Sequence, residues 1–285
     1  MFENLCEKLG DSRYGVHAAE VICGGEVVLH KCFDDDRAYP VYSAAKSVTS
    51  MAFSLCCDDG ILSPQHKLAD FIDDNYKPLM PRGFEELTFE RFLTMTAGEY
   101  PFRPQGDDWL KYIFSLGTDY SDMGFHYSNI PAYLVGVACE NAVGVPLMQY
   151  LDKRVFKAMG IAAPEYSTCP QGHFYGATGM EMTVHQLALL GQLYLQQGEW
   201  GGRQLISREA VKAAVSPHVF TGSDHYGYFF RVAKDHFSIV GKWGQRCIVY
   251  PRRIIALAYL SDCPDHSQEL YETVNECITQ ENTVL

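Results

Sequence analysis

The sequence predicts an α+β fold, with an antiparallel sheet built from both chain ends, flanking helices, and a mostly helical region inserted between the two halves of the sheet. Three observations predict it. A turn-punctuated, β-rich stretch opens the chain at Val16–Cys32. Helical signals dominate from Leu62 to about Pro164, and short, closely spaced β-rich segments return between Tyr226 and Leu260. A hairpin at one end and a meander at the other can share one α/β layer. The division expected is therefore an α/β domain from residues 1–61 and 165–285, a mostly helical domain from 62–164, and an active site at their interface.

The elements follow in order. Val21-Ile22-Cys23 and Val27-Val28-Leu29 flank Gly24-Gly25, and paired glycines suit a tight turn that needs positive φ. A helix is predicted from about Ser43 to Asp59, with Ala44, Val48, Met51, Ala52, Leu55 and Cys56 as an apolar stripe and Gly60 as a left-handed stop. Thr88 can cap Phe89–Met95. Asn129 with Pro131 suits a helix start, and that helix runs to Asn141 before Gly144. Leu147, Leu151 and Val155 recur every fourth residue up to Gly160. Thr183 caps a helix that ends at Gly198, and Ser207 caps a short one. Tyr226–Val232, Ser238–Val240, Cys247–Tyr250 and Ile254–Leu260 read as an antiparallel meander, and Asp265–Thr279 as a closing helix.

Composition narrows the function. With 285 residues the chain can bury a substantial core. The net charge of −12, from 35 acids against 23 bases, disfavours nucleic acid as a partner. No run approaches the roughly 20 apolar residues needed to cross a bilayer. Met1–Gly10 lacks the basic-then-apolar layout of a signal peptide, so a cytoplasmic protein without membrane attachment is expected. The ten cysteines show no CxxC pair and no paired Cys/His ligand spacing. They are expected as buried free thiols in a reducing compartment, with no metal site. No feature specifies an oligomeric state.

Three motifs carry chemistry. Ser43-Ala44-Ala45-Lys46 is the only S-x-x-K in the chain. At i and i+3 on a helix, hydroxyl and amine share a face. A serine hydroxyl needs a base, and a lysine can serve once burial or a second cation lowers its pKa. The helix start also offers backbone N–H groups to an oxyanion. Tyr127-Ser128-Asn129 is the only Y-x-N. Its phenol can relay protons, and its amide can hold both the lysine and a substrate amide. Gly241-Lys242-Trp243-Gly244-Gln245 lies between two strand segments, where a lysine can lower the pKa of Lys46 and Tyr127 and face a substrate carboxylate. A capping serine, a helix N-cap and a plain hairpin turn are the structural alternatives to these readings.

In this order and spacing the three motifs resemble the serine β-lactamase and penicillin-binding-protein superfamily, and most of all its class C β-lactamase-like branch, which includes esterases, amide hydrolases and D-amino-acid peptidases. Leu87–Gly98, Phe125–Asn129, Gly176–Met180 with Thr183, and Gly244-Gln245 before Pro251 look like successive family segments, so the resemblance spans nearly the whole chain. It implies a β-lactamase/transpeptidase-like fold and an acyl-enzyme on Ser43. Lys46 and Tyr127 would share the proton transfers, Asn129 would orient Lys46 and substrate, and Lys242 would supply positive charge. Backbone N–H groups of Ser43 and Gln245 would form the oxyanion hole. His126, Trp243 and Gly244 are candidates for the substrate surface. No metal or organic cofactor is implied. The expected partner is a small-molecule ester, amide or β-lactam-like substrate.

The chain departs from the family at named positions. Trp243 stands where many relatives carry threonine or serine, and an indole cannot accept the hydrogen bond that helps hold a β-lactam carboxylate. Ile130 and Ala97 replace a glycine and a serine common in relatives. The resulting expectation is a serine hydrolase for a small ester or amide. A penicillin-binding or sensor-type protein that acylates without efficient turnover is one alternative, and a true β-lactamase or D-amino-acid peptidase is another. G-x-S-x-G, HExxH and P-loop patterns are absent.

Overall fold

Strand alternation and small residues build the centre of the molecule. The computed structural model describes residues 2–280; Met1 and residues 281–285, which the sequence reading assigns to the α/β region, lie outside the described residues. The helix α1 (Glu3–Leu9) precedes the hairpin β1 (Val16–Cys23) and β2 (Glu26–Cys32). Gly24 and Gly25 take φ of +60° and +92° in its turn, as paired glycines there require. Six more strands come from the other end of the chain: β3 (Val219–Phe220), β4 (His225–Tyr226), β5 (Arg231–Val232), β6 (Phe237–Val240), β7 (Arg246–Tyr250) and β8 (Ile255–Ser261). They join in the order β2-β1-β8-β7-β6-β5-β4-β3, with every neighbouring pair antiparallel. The two chain ends meet at β1 and β8, as expected.

Each central strand serves two cores. Ala256, Ala258 and Leu260 of β8 face one side, with Cys247 and Val249 of β7. Ile255, Leu257 and Tyr259 face the other, with Ile248 and Tyr250. On the first face lies α4 (Val184–Leu195), started by a Thr183–Gln186 capping box; before it in the chain come α2 (Ala45–Asp58) and α3 (Ile130–Val143). On the second lie Leu5 and Leu9 of α1 and Leu270 and Val274 of α5 (Ser267–Gln280). Side chains from Ala45 to Cys56 of α2 are all buried, and α2 packs against α3, so the predicted stripe understates the burial of this helix. Among the described residues no single helix is long and apolar enough to cross a membrane.

Several local expectations change. The segment read as one strand, Tyr226–Val232, is two antiparallel strands folded back through Gly227–Phe230, because Phe229 turns the chain at φ +61°. Thr88 and Asn129 stand at N-cap positions, but neither side chain caps its helix. The Leu147–Met159 helix carries an internal π-turn at Asp152–Phe156. Short pairings of Tyr39–Pro40 with Met180–Met182 and of the latter with Glu165–Tyr166 are additional; two or three residues leave no period-2 signal to read.

Candidate active site

Ser43 lies in a 3-10 turn, Tyr42–Ala44, that runs directly into α2 and presents Lys46 one turn later. Lys46 is 1% exposed, and its ammonium donates three hydrogen bonds: to Ser43 Oγ at 3.0 Å, to Asn129 Oδ1 at 2.6 Å and to the carbonyl of Ala177 at 3.0 Å. Asn129 Nδ2 donates to Tyr175 Oη at 3.1 Å, which keeps Oδ1 turned toward the lysine. This explains why Asn129 does not cap its own helix: both ends of its amide are engaged elsewhere. Ala177 O is set by the turn at Gly176, whose own carbonyl accepts from Thr49 Oγ1 of α2 at 2.7 Å. A side chain at Gly176 would need φ of +70° and would put its Cβ 2.8 Å from Thr49 Oγ1.

Burial holds Lys46 below the ordinary lysine range, and the nearby Tyr127 phenol works in the opposite direction. The neutral amine has two N–H donors and one lone pair. Ala177 O and the oriented Asn129 Oδ1 can only accept, so the two hydrogens stay with them. The lone pair is left for the hydroxyl side, where Ser43 Oγ lies at 3.0 Å and the Tyr127 phenol also hydrogen-bonds the amine. The arrangement therefore supports proton transfer from Ser43 to Lys46. The Tyr127 ring lies 4.9 Å from Lys46 Nζ and packs edge-on against Tyr226.

Ser43 opens into a cleft of about 490 Å³ lined by Tyr42, Tyr127, Asn129, Tyr175, Thr178, Tyr226 and Phe229, among others. Three cations, Arg103, Arg231 and Lys242, also line it, and among the described lining residues there is no Asp or Glu. On a chain of net charge −12 this is a locally inverted field. Arg231 is anchored by Asp224 at 3.1 Å and lies over the rings of Phe125 and Tyr226. Arg103, next to the exposed Phe102, is exposed itself. Tyr42 and Phe229 of the cleft lining hold φ of +48° and +61°, and Trp243, next to Lys242, holds +61°. Such backbone costs roughly 1–3 kcal/mol per residue and persists where packing enforces it. A more open cavity of about 640 Å³, lined by Asp70, Asp73, Asp74 and Glu140 among others, holds none of the predicted residues.

The structure brings together Ser43, Lys46, Tyr127 and Asn129, and it places Lys242 on the cleft wall. Lys242 does not depress Lys46 as expected: it is exposed, its ammonium sits 4.0 Å over the Trp243 ring, and burial alone accounts for the lowering at Lys46. Gln245 is not at the cleft. Residues Lys242–Gly244 form a 3-10 turn between β6 and β7, the Gln245 N–H donates to Lys242 O at 3.4 Å, and its side chain is buried against Ser261. Gly244 is buried, and Trp243 packs edge-on to Tyr42 at 5.3 Å instead of filling the cleft. His126 points away to Asp122, Nε2 to Oδ2 at 2.7 Å. Trp243, Gly244 and Gln245 leave the expected substrate or oxyanion surface because the 3-10 turn folds the Gly241–Gln245 loop on itself, and His126 leaves it through its bond to Asp122. Gly241 fits there because a Cβ would press into Val41 O. Sequence reasoning missed Arg103, Tyr175 and Arg231, which stand in segments with no motif.

The fold and this serine–lysine–asparagine constellation define a serine-hydrolase type of protein. The family model described as Beta-lactamase matches residues 2–273, and the chain belongs to the β-lactamase family. Solved structures agree on the fold. A proposed β-lactamase from Bacteroides dorei is 18% identical and superposes with a TM-score of 0.81, covering 98% of this chain and 99% of that one. A protein described as a 6-aminohexanoate-dimer hydrolase from Bacillus anthracis is also 18% identical, with a TM-score of 0.78 over 96% of this chain and 81% of its own. A class C β-lactamase variant is 13% identical, with a TM-score of 0.76 over 98% and 96%. Comparison with curated proteins gives no match.

Proposed function

We propose that the protein hydrolyses a small, carboxylate-bearing ester or amide through an acyl-enzyme on Ser43. The observation that carries the reading is the buried Lys46, whose two acceptor-only partners, Asn129 Oδ1 and Ala177 O, leave its lone pair for the hydroxyl side, where Ser43 Oγ lies at 3.0 Å. In acylation, Ser43 Oγ attacks the carbonyl carbon as its proton passes to Lys46. The tetrahedral oxyanion rests on the Ser43 N–H. Collapse breaks the bond to the alcohol or amine, which leaves with a proton delivered by Lys46 through Tyr127. Water then attacks the acyl-enzyme and surrenders a proton to the same pair, which returns it to Ser43 Oγ as the acyl–oxygen bond breaks and the acid leaves. Asn129 holds Lys46 and receives the substrate amide. Arg103, Arg231 and Lys242 receive the carboxylate of the substrate, and the aromatic wall receives its apolar part. Buried thiols such as Cys56, Cys139 and Cys247 support a reducing compartment, in keeping with the cytoplasm.

A second reading, acylation without efficient turnover, is favoured by one observation: the Gln245 N–H is spent inside its own turn, which leaves the oxyanion with one donor fewer. Intact mass against time separates the two, with a p-nitrophenyl ester, a fluorescent penicillin and a fluorophosphonate as probes and Ser43→Ala alongside. A transient Ser43-dependent ester adduct with steady p-nitrophenol release is expected. A permanent penicillin adduct would favour the second reading. Absence of any adduct on folded protein would overturn both.

A further inference from the structure

Away from the cleft, on the edge strand β2, the geometry points to a metal site that no comparison assigns. We propose that His30, Cys32 and Asp36 bind a zinc(II) ion. His30 and Cys32 are two residues apart on a strand, so their side chains share a face. Asp36 returns to that face from the segment that follows β2. His30 Nε2 lies 3.5 Å from Cys32 Sγ and 3.7 Å from Asp36 Oδ2, and the three ligand atoms all lie within 4.8 Å of one another.

Those separations match what the ion needs. Zinc bonds of about 2.0–2.1 Å to nitrogen and oxygen and about 2.3 Å to sulfur, at tetrahedral angles, set N···S at about 3.5 Å and N···O at about 3.4 Å. Two edges of the tetrahedron are thus in place to within a few tenths of an ångström. The third closes by a small shift of Asp36, whose side chain is 60% exposed. A nitrogen, a thiolate and a carboxylate suit zinc over calcium or magnesium, which prefer all-oxygen shells.

The support behind His30 is the stronger part of the case. Glu20, 1% exposed and paired directly across the ladder from His30, places Oε2 2.7 Å from His30 Nδ1. A carboxylate only accepts, so Nδ1 carries a proton toward Glu20, and Nε2, which faces Cys32 and Asp36, is the nitrogen left to bind the ion, any proton it carries being displaced to solvent. Metal-bound histidines are oriented in this way by carboxylates behind them. The second oxygen of Glu20 is fixed by His185 Nδ1 at 2.8 Å, so the buried acid is braced from both sides. On binding, Cys32 loses its proton to solvent as the Zn–S bond forms. Zn²⁺ then balances one thiolate and one carboxylate, and a water completes the shell. The ion ties the edge of the sheet to the segment 33–38, which leads into Tyr42 and Ser43. The expectation of no metal site rested on the absence of CxxC and paired Cys/His spacing; the signal present, His-x-Cys on one strand, was not among those patterns.

The test is titration of the reduced full chain with zinc chloride by calorimetry and with cobalt(II) by absorption. One zinc per chain at micromolar or tighter Kd is expected, with a thiolate-to-cobalt charge-transfer band and the intense visible bands of a four-coordinate ion. Cys32→Ser and His30→Ala should each weaken binding at least tenfold and abolish the charge-transfer band, while a Cys6→Ser control retains both. Zinc should raise the melting temperature of the wild type and of Cys6→Ser and leave that of Cys32→Ser unchanged. No binding, or binding that survives in Cys32→Ser and His30→Ala, would overturn the site. So would equal loss in Cys6→Ser.

Discussion

The floor and the rim of the cleft are built on different principles. At the floor, Tyr175, Asn129, Lys46, Ala177 and Ser43 form a connected chain of hydrogen bonds in which all three donors of the lysine have acceptors, and Lys46 and Asn129 are buried. At the rim, Lys242 and Arg103 stand in solvent, and Trp243 turns through a left-handed conformation that packing on Tyr42 enforces. A dry, satisfied network leaves one arrangement available, and it therefore fixes protonation and direction. A wet, strained loop can be re-set at the cost of one or two kcal/mol. Reaction type belongs to the floor, and choice of substrate to the rim.

The largest effect expected is therefore at the floor. Lys46→Met should lower kcat/KM for a p-nitrophenyl ester by about 10²–10⁴-fold, the usual worth of a positioned base, while Ser43 remains in place. Loss of less than tenfold would mean that the floor does not supply the base. The same lysine gives a stability signature. Its folded pKa is below its unfolded value, so the unfolded chain holds the proton that the native chain sheds. Stability should then rise with pH from that lowered pKa up to the ordinary lysine range near ~10.4. Urea midpoints against pH should show this rise in the wild type and a flatter profile in Lys46→Met. Acylation should rise with pH in the same direction as the amine becomes neutral.

How much was legible from sequence follows the same division. Ser43, Lys46, Tyr127 and Asn129 could be read because an amine one turn from a hydroxyl, and an amide at a helix start, are residue types in a set geometry. The sheet was legible because short, β-rich segments recur at close spacing near both chain ends and Gly24-Gly25 marks the turn. The rim was not, because it depends on backbone turns that residue type does not announce. Trp243 and Phe229 at positive φ are such turns. One folds Gln245 inward and the other splits a predicted strand into two. Arg103 and Arg231 share no motif, and only the fold brings them to one wall.

The cationic wall should have a moderate effect. Arg103→Ala should raise KM about tenfold for an ester carrying a carboxylate and leave a neutral ester of similar size unchanged; the wild-type preference should shrink as salt is raised. An equal change for both esters would mean that Arg103 shapes the rim without reading charge, and would move specificity back toward the aromatic wall.

The smallest effect concerns strain. Trp243 at φ +61° loses conformational energy and regains part of it through Tyr42 at 5.3 Å and Lys242 at 4.0 Å over its ring. Trp243→Ala removes both contacts but keeps a Cβ in the left-handed region. Trp243→Gly removes the same contacts and relieves the backbone as well. The glycine variant should therefore be the more stable of the two by about 1 kcal/mol in urea unfolding. Because neither variant keeps the indole, the difference isolates the backbone. Equal stability would mean that the loop leaves the left-handed turn once the indole is gone, which would make the Gly241–Gln245 segment able to swing the Gln245 N–H toward Ser43 and bring the rim under the control of a single side chain.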